Sequence, residues 1–188
     1  MAIPVLQIAK SMRYAMNDMQ GVRISDFELI EAINQAAALL YGLLSTKYVN
    51  EVRKTVTLDV SESGVIDLPD DYVRVHQVGL NDRDIAVPVS YQSDVEGTYR
   101  IIGHKFTAPQ GKYFLEYYYI PLRVTKLDDD LDVPLSMSTY IEQISLAMYN
   151  RDLALARALA TQAQQFLSDN EVSHLENNTP TKIIGGRI

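Results

Sequence analysis

The apolar positions of this chain change their period twice. Between Val5 and Leu44 they recur every three or four residues, between Val52 and Ile120 they alternate in short runs, and from Tyr140 to Phe166 the helical spacing returns. Pro4 suits a first helical turn, and Val5, Ile8, Met12, Ala15 and Met19 predict an amphipathic helix from Pro4 to about Asp18, ended by Gly21. Ser25 and Glu28 form a capping box for a second helix, with Ile24 placed to pack back onto its first turns. Its buried stripe is Ile30, Ile33, Ala37, Leu40 and Leu44, with Glu28, Glu31, Asn34 and Gln35 facing elsewhere, and it runs to about Thr46.

Beyond Lys47 the β-branched stretch Val52 to Val60 reads as a strand. Turns at Ser61–Gly64, Pro69–Asp71 and Asn81–Asp84 separate Val65–Leu68, Tyr72–Val78 and Ile85–Tyr91, which read as consecutive strands of an antiparallel meander. Tyr99–Ile102, Lys105–Thr107 and Tyr113–Ile120 follow, joined at Gly103-His104 and Pro109-Gln110-Gly111. Such short strands favour a small sandwich or barrel.

The stretch from Pro134 to Leu167 carries the strongest apolar pattern, two alanine-rich helical segments meeting at Asn150-Arg151-Asp152. Tyr140, Ile141, Ile144, Ala147 and Met148 line the first; Leu153, Ala156, Leu159, Ala163 and Phe166 line the second, which continues to about Leu175. The alanines allow close helix approach, within the chain or between copies of it. The expected fold is therefore α+β. An antiparallel helical bundle from residues 1–48 and 134–176 is interrupted by a β insertion, 49–133, and followed by a flexible tail, 177–188.

Composition narrows the function classes. With 24 acidic against 17 basic residues and a net charge of -7, the chain lacks the excess of Lys and Arg that an open DNA-gripping face requires. It has no cysteine, which excludes disulfides, thiolate metal sites and cysteine nucleophiles. Met1 to Met19 has no basic n-region and reads as no secretory signal, and no run of about 18 apolar residues announces a membrane span.

Candidate chemistry is sparse. Asp128, Asp130 and Asp132 resemble the start of a calcium loop, but Val133 stands at its glycine position and Thr139 at its glutamate position, so a solvated acidic loop is the expectation. His76, His104 and His174 have no metal-site spacing, and Asp70-Asp71 reads as a turn rather than an acid/base pair. Ser63-Gly64 and Gly185-Gly186 lack the surroundings of a nucleophile elbow or phosphate loop. No nucleophile, base and orienting group assemble, so no enzyme activity and no cofactor are expected. Tyr113, Phe114, Tyr117, Tyr118 and Tyr119 have too few basic neighbours for a base-stacking platform. Their reading is a strand with one face in the core and tyrosines at a rim or subunit interface. Tyr117 and Tyr119, with Arg151 and Arg157 of the paired helices, are the candidate interface residues. The tail residues Lys182, Ile183, Ile184, Arg187 and Ile188 form either a frayed end or an extended peptide that docks on a partner.

Several stretches are similar to those of head-to-tail adaptor (connector) proteins of tailed bacteriophages, particularly the short-tailed type. They are the helical segment Ser25 to Leu44, Leu68-Pro69-Asp70-Asp71-Tyr72-Val73-Arg74-Val75 entering a strand, Leu115 through Pro121, and Asp132-Val133-Pro134 leading into the paired helices. The resemblance implies a structural virion protein of the neck, assembled in the host cytoplasm. It implies a homo-oligomeric ring, commonly a dodecamer, bound between the portal protein and a tail or nozzle protein. Double-stranded DNA would pass through its lumen without specific binding, which suits an acidic chain, and the C-terminal extension would reach the portal. The alternatives are another neck protein, such as a tail-completion or terminator subunit, or a small binding module or enzyme with an unrecognised site.

Overall fold

The computed structural model describes residues 2–46, 52–80 and 98–177. The chain opens with a two-residue strand, β1 (Ile3–Pro4), and passes into α1 (Val5–Ala15) and α2 (Asp26–Thr46). Five further strands lead to the long strand of the β region. They are β2 (Arg53–Val60), β3 (Val65–Asp67), β4 (Tyr72–Leu80), β5 (Arg100–Ile102) and β6 (Lys105–Thr107), followed by β7 (Gly111–Tyr119). A short β8 (Asp130–Leu131) and a single 3-10 turn, Leu135–Met137, precede α3 (Ser138–Tyr149) and α4 (Leu153–Asn177). The α+β class is as expected: terminal helices pack together and antiparallel sheets are inserted between them. The predicted strand Ile85–Tyr91 lies outside the described residues.

The first helix stops earlier than Gly21. Met16 closes its last turn by donating to Met12 O at 3.0 Å, and Asn17 takes the left-handed conformation at φ 56°. Gly21, at φ 65°, serves the turn that follows. The capping box of α2 is present: Ser25 N donates to Glu28 Oε2 at 2.9 Å and Glu28 N to Ser25 Oγ at 3.3 Å. All five stripe positions of α2 are buried. Its length and mean hydropathy of 1.2 match a membrane-crossing helix, but half of that apolar stretch is buried inside the protein, as in a core helix.

Asn34 corrects the expected polar face of α2. It is buried, and it clamps an extended strap of chain: its Nδ2 donates to Val124 O and its Oδ1 accepts from Val124 N, both at 2.9 Å. Arg123 alongside binds Glu31 at 2.6 Å. A side-chain amide can imitate a peptide group, so the strap is hydrogen-bonded to the helix as though to a strand.

The meander expectation is also corrected. Both β2 and β4 pair antiparallel with β7, giving the order β2-β7-β4, while β3, β6 and β5 form a second sheet. β7 takes the centre because its residues are buried along both faces: Tyr113, Leu115 and Tyr117 on one, Tyr118 on the other. Neither sheet closes on itself among the described residues; they meet through an aromatic seam, Tyr99 on Phe106 at 5.6 Å and Phe106 on Tyr113 at 5.5 Å. Gly79 sits where Phe114 leaves no room for a Cβ.

The paired helices break where expected. Arg151 is left-handed at φ 60°, and the Asp152 carboxylate restarts the chain by accepting from Leu155 N at 3.0 Å. The face of α4 differs from the expectation. Its buried stripe is Ala156, Ala160, Ala163 and Leu167, whereas Leu153 and Phe166 are exposed. Small side chains let α4 lie close on α2 and α3, and Leu153, Leu155 and Phe166 are left on the outer surface.

Candidate assembly surfaces

The alternation of β7 sends Tyr117 and Tyr119 toward the junction with the helices. Tyr117 Oη donates to Asp71 Oδ1 at 2.9 Å, and Tyr119 Oη donates to Asp132 O at 3.2 Å while lying 3.4 Å from Tyr41 Oη of α2. Lys54 of β2 completes the group. Its ammonium lies 4.0 Å from the Tyr119 ring centre, pairs with Asp71 at 2.7 Å and also with Asp132. Both tyrosines are under 5% exposed within a single subunit. Their hydroxyls are spent on internal contacts. Asp71 has a structural partner in Lys54, and the preceding turn is closed by Tyr72 N on Pro69 O.

Burial, and then the Asp71 carboxylate that accepts its proton, push the Tyr117 hydroxyl far above the usual 10.0. Burial raises Tyr119, Tyr113, Tyr72 and Tyr99 as well. Burial opposes the Lys54 charge, but Asp132 and Asp71 outweigh it and hold its pKa above 10.5. Each shift has the same sign. The unfolded chain loses these protons first, so the stability they contribute is complete below the unfolded values and falls as pH rises. The denaturation midpoint is expected to hold to roughly pH 9.5 and drop above about pH 10, with a shallower drop in Tyr117→Phe. An identical alkaline slope in that variant would remove Tyr117 from the effect.

Two corners of the bundle present apolar side chains to solvent. At the α3–α4 corner Leu153 is 56% and Leu155 48% exposed, with Arg151 and Arg157 also at the surface. Beside them a groove of about 290 Å³ runs between the helices, lined by Gln143, Leu146, Ala147, Leu155 and Leu159.

The α1–α2 corner exposes Tyr14, Met19, Val22 and Phe27 by 64 to 78%. Its backbone is nonetheless tightly organised. The buried Asp18 carboxylate accepts from the N–H groups of Val22, Arg23 and Ile24, and Arg13 bridges Asp18 at 3.2 Å to Asp26 at 2.7 Å. Burial works against the Asp18 charge, but these amides and Arg13 prevail and keep its carboxyl below the usual range.

Among the described residues no three His, Cys, Asp or Glu side chains converge as a metal site. Of the acidic run, Asp129 closes a turn by accepting from Thr125 N and Lys126 N, Asp130 pairs with Pro4, and Asp132 meets Lys54. The candidate tail residues Lys182, Ile183, Ile184, Arg187 and Ile188 lie outside the described residues. Sequence reasoning missed Lys54, Asn34 and Asp18, whose partners are set by tertiary structure.

No curated protein matches the chain. The family model described as SU10 adaptor protein matches residues 4–181, a span that takes in both apolar corners, the inserted sheets and all four helices. The chain therefore belongs to the SU10 adaptor protein family, structural adaptors of the phage virion.

Proposed function

We propose that this protein is the head-to-tail adaptor of its virion, a homo-oligomeric ring seated between the portal and the tail or nozzle, with double-stranded DNA passing through its lumen. Family membership over residues 4–181 is the observation that carries this reading. The physical features agree with it. Apolar side chains on two separate corners suit a subunit with more than one neighbour. A net charge of -7 disfavours phosphate contacts that would hold the genome in place. The role is geometric, and the chain itself performs no chemistry. Residues 181–188 are assigned to the portal contact.

The test is mass measurement of the purified chain alone and mixed with its portal protein. A large complex that forms only with portal is expected, and deletion of 181–188 is expected to weaken it without changing the circular dichroism of the chain. A chain that stays monomeric beside portal defeats the adaptor reading, and docking unchanged by the deletion removes the tail from it.

A further inference from the structure

The two apolar corners occupy opposite flanks of the bundle at one height. α2 and α3 pack on each other, and both α1 and α4 pack on that pair while scarcely touching one another. The same turn of α3 marks their level. Gln143 and Leu146 border Met12 and Ala15 of α1 on one side and Leu155 and Leu159 of α4 on the other, and Ser11 of α1 binds Glu142 at 2.9 Å. α1 and α4 are therefore separated around the α2–α3 pair and not along it.

The flanks also differ in charge. Phe27 stands between the exposed Asp26 and Glu28, whereas Leu153 and Leu155 stand between the exposed Arg151 and Arg157. Charges of the opposite sign nearby are exposed but held in local contacts, and Arg13 pairs with Asp26. Arg23 Nη2 donates to the carbonyls of Met16 and Asn17, and Asp152 caps α4. One flank thus offers apolar side chains on a fixed backbone with an acidic border, the other an apolar groove with a basic border.

We propose that these flanks bind each other in neighbouring copies: the α1–α2 corner, led by Val22 and Phe27, seats on the α4 ridge and the α3–α4 groove of the next subunit. The contact is heterologous, and unlike faces are what a head-to-tail ring requires. The pre-formed α1–α2 loop loses little freedom on docking, because Asp18 and Arg13 already fix it. This inference rests on the adaptor reading and names the partner of its surfaces.

The absence of cysteine makes the test direct. Phe27→Cys carries a photoreactive maleimide of roughly 10 Å reach, about the spacing of packed helices. It is mixed with isotopically heavy unmodified chain, assembled on portal and illuminated. The expected adduct joins the light 27 position to a heavy peptide from 143–169, and Leu155→Cys is expected to capture a heavy peptide from 14–28 in return. Both substitutions are at exposed positions, so folding is retained. Adducts from Phe27→Cys to heavy 14–28 indicate a symmetric contact and overturn the proposal; adducts to portal or tail peptides overturn it by assigning the corner to another partner. Co-sedimentation with portal is read on the same samples. If the chain co-sediments but gives no inter-copy adduct, the faces are wrong and the adaptor reading stands. If it does not co-sediment, both fall.

Discussion

Asn34→Ala is expected to lower the unfolding free energy by roughly 2 to 4 kcal/mol, the cost of leaving two buried peptide groups without partners. Val124 is 6% exposed, and both its N–H and its carbonyl are satisfied by this one amide. Water cannot replace it without entering between α2 and the strap. Against a typical stability of about 5 to 15 kcal/mol, such a loss is a large fraction of the total. Asn34→Asp retains the acceptor for Val124 N but sets a carboxylate against Val124 O, so it is expected to recover little at neutral pH. Urea denaturation followed by circular dichroism measures both, with an unchanged slope showing that the unfolded state is unaffected. A loss below about 1 kcal/mol for the alanine variant would mean the strap re-pairs locally.

Ala160→Leu is the second large effect. Ala160 is fully buried between Ala156 and Ala163, where α4 lies against α2 and α3. Three carbons added at a position with no exposed surface must displace neighbours, so either side chains leave their rotamers or the helix moves outward, at about 1 to 3 kcal/mol or more. Ala158→Leu, one turn face away and exposed, is expected to change stability by less than about 0.5 kcal/mol. Differential scanning calorimetry of the pair separates packing from helix propensity, which is nearly the same for both. Equal melting temperatures would show that α4 can slide on its bed.

What was legible in the sequence was local. The Ser25 and Glu28 box, the break at Asn150-Arg151-Asp152 and the turn at Pro69 are written in residues within a few positions of one another, and each appears as read. Strand order was not legible, since nothing in β2 or β4 encodes that both will pair with β7. Asn34 looked like a surface residue because its partner lies 90 positions away. Large apolar side chains at Leu153 and Phe166 outweighed alanine in the periodicity, yet close packing selected the alanines. The candidate surfaces divide in the same way. Arg151, in the α3–α4 turn, and Arg157, on α4, are exposed, whereas Tyr117 and Tyr119 are enclosed by Lys54, Asp71 and Asp132 from three other stretches of chain.

The central place of β7 also constrains how the protein is made. β2 spans residues 53–60 and, among the described residues, finds its strand partner at 111–119, and α2 waits still longer for α3 at 138–149. On the ribosome, the first half of the chain therefore emerges with its strand edges unpaired and its longest apolar helix uncovered, and the non-local contacts close late. Truncations ending before β7 should accumulate as aggregates and not as smaller folded units, while the finished subunit, once β7 slots between β2 and β4, closes in a single cooperative step.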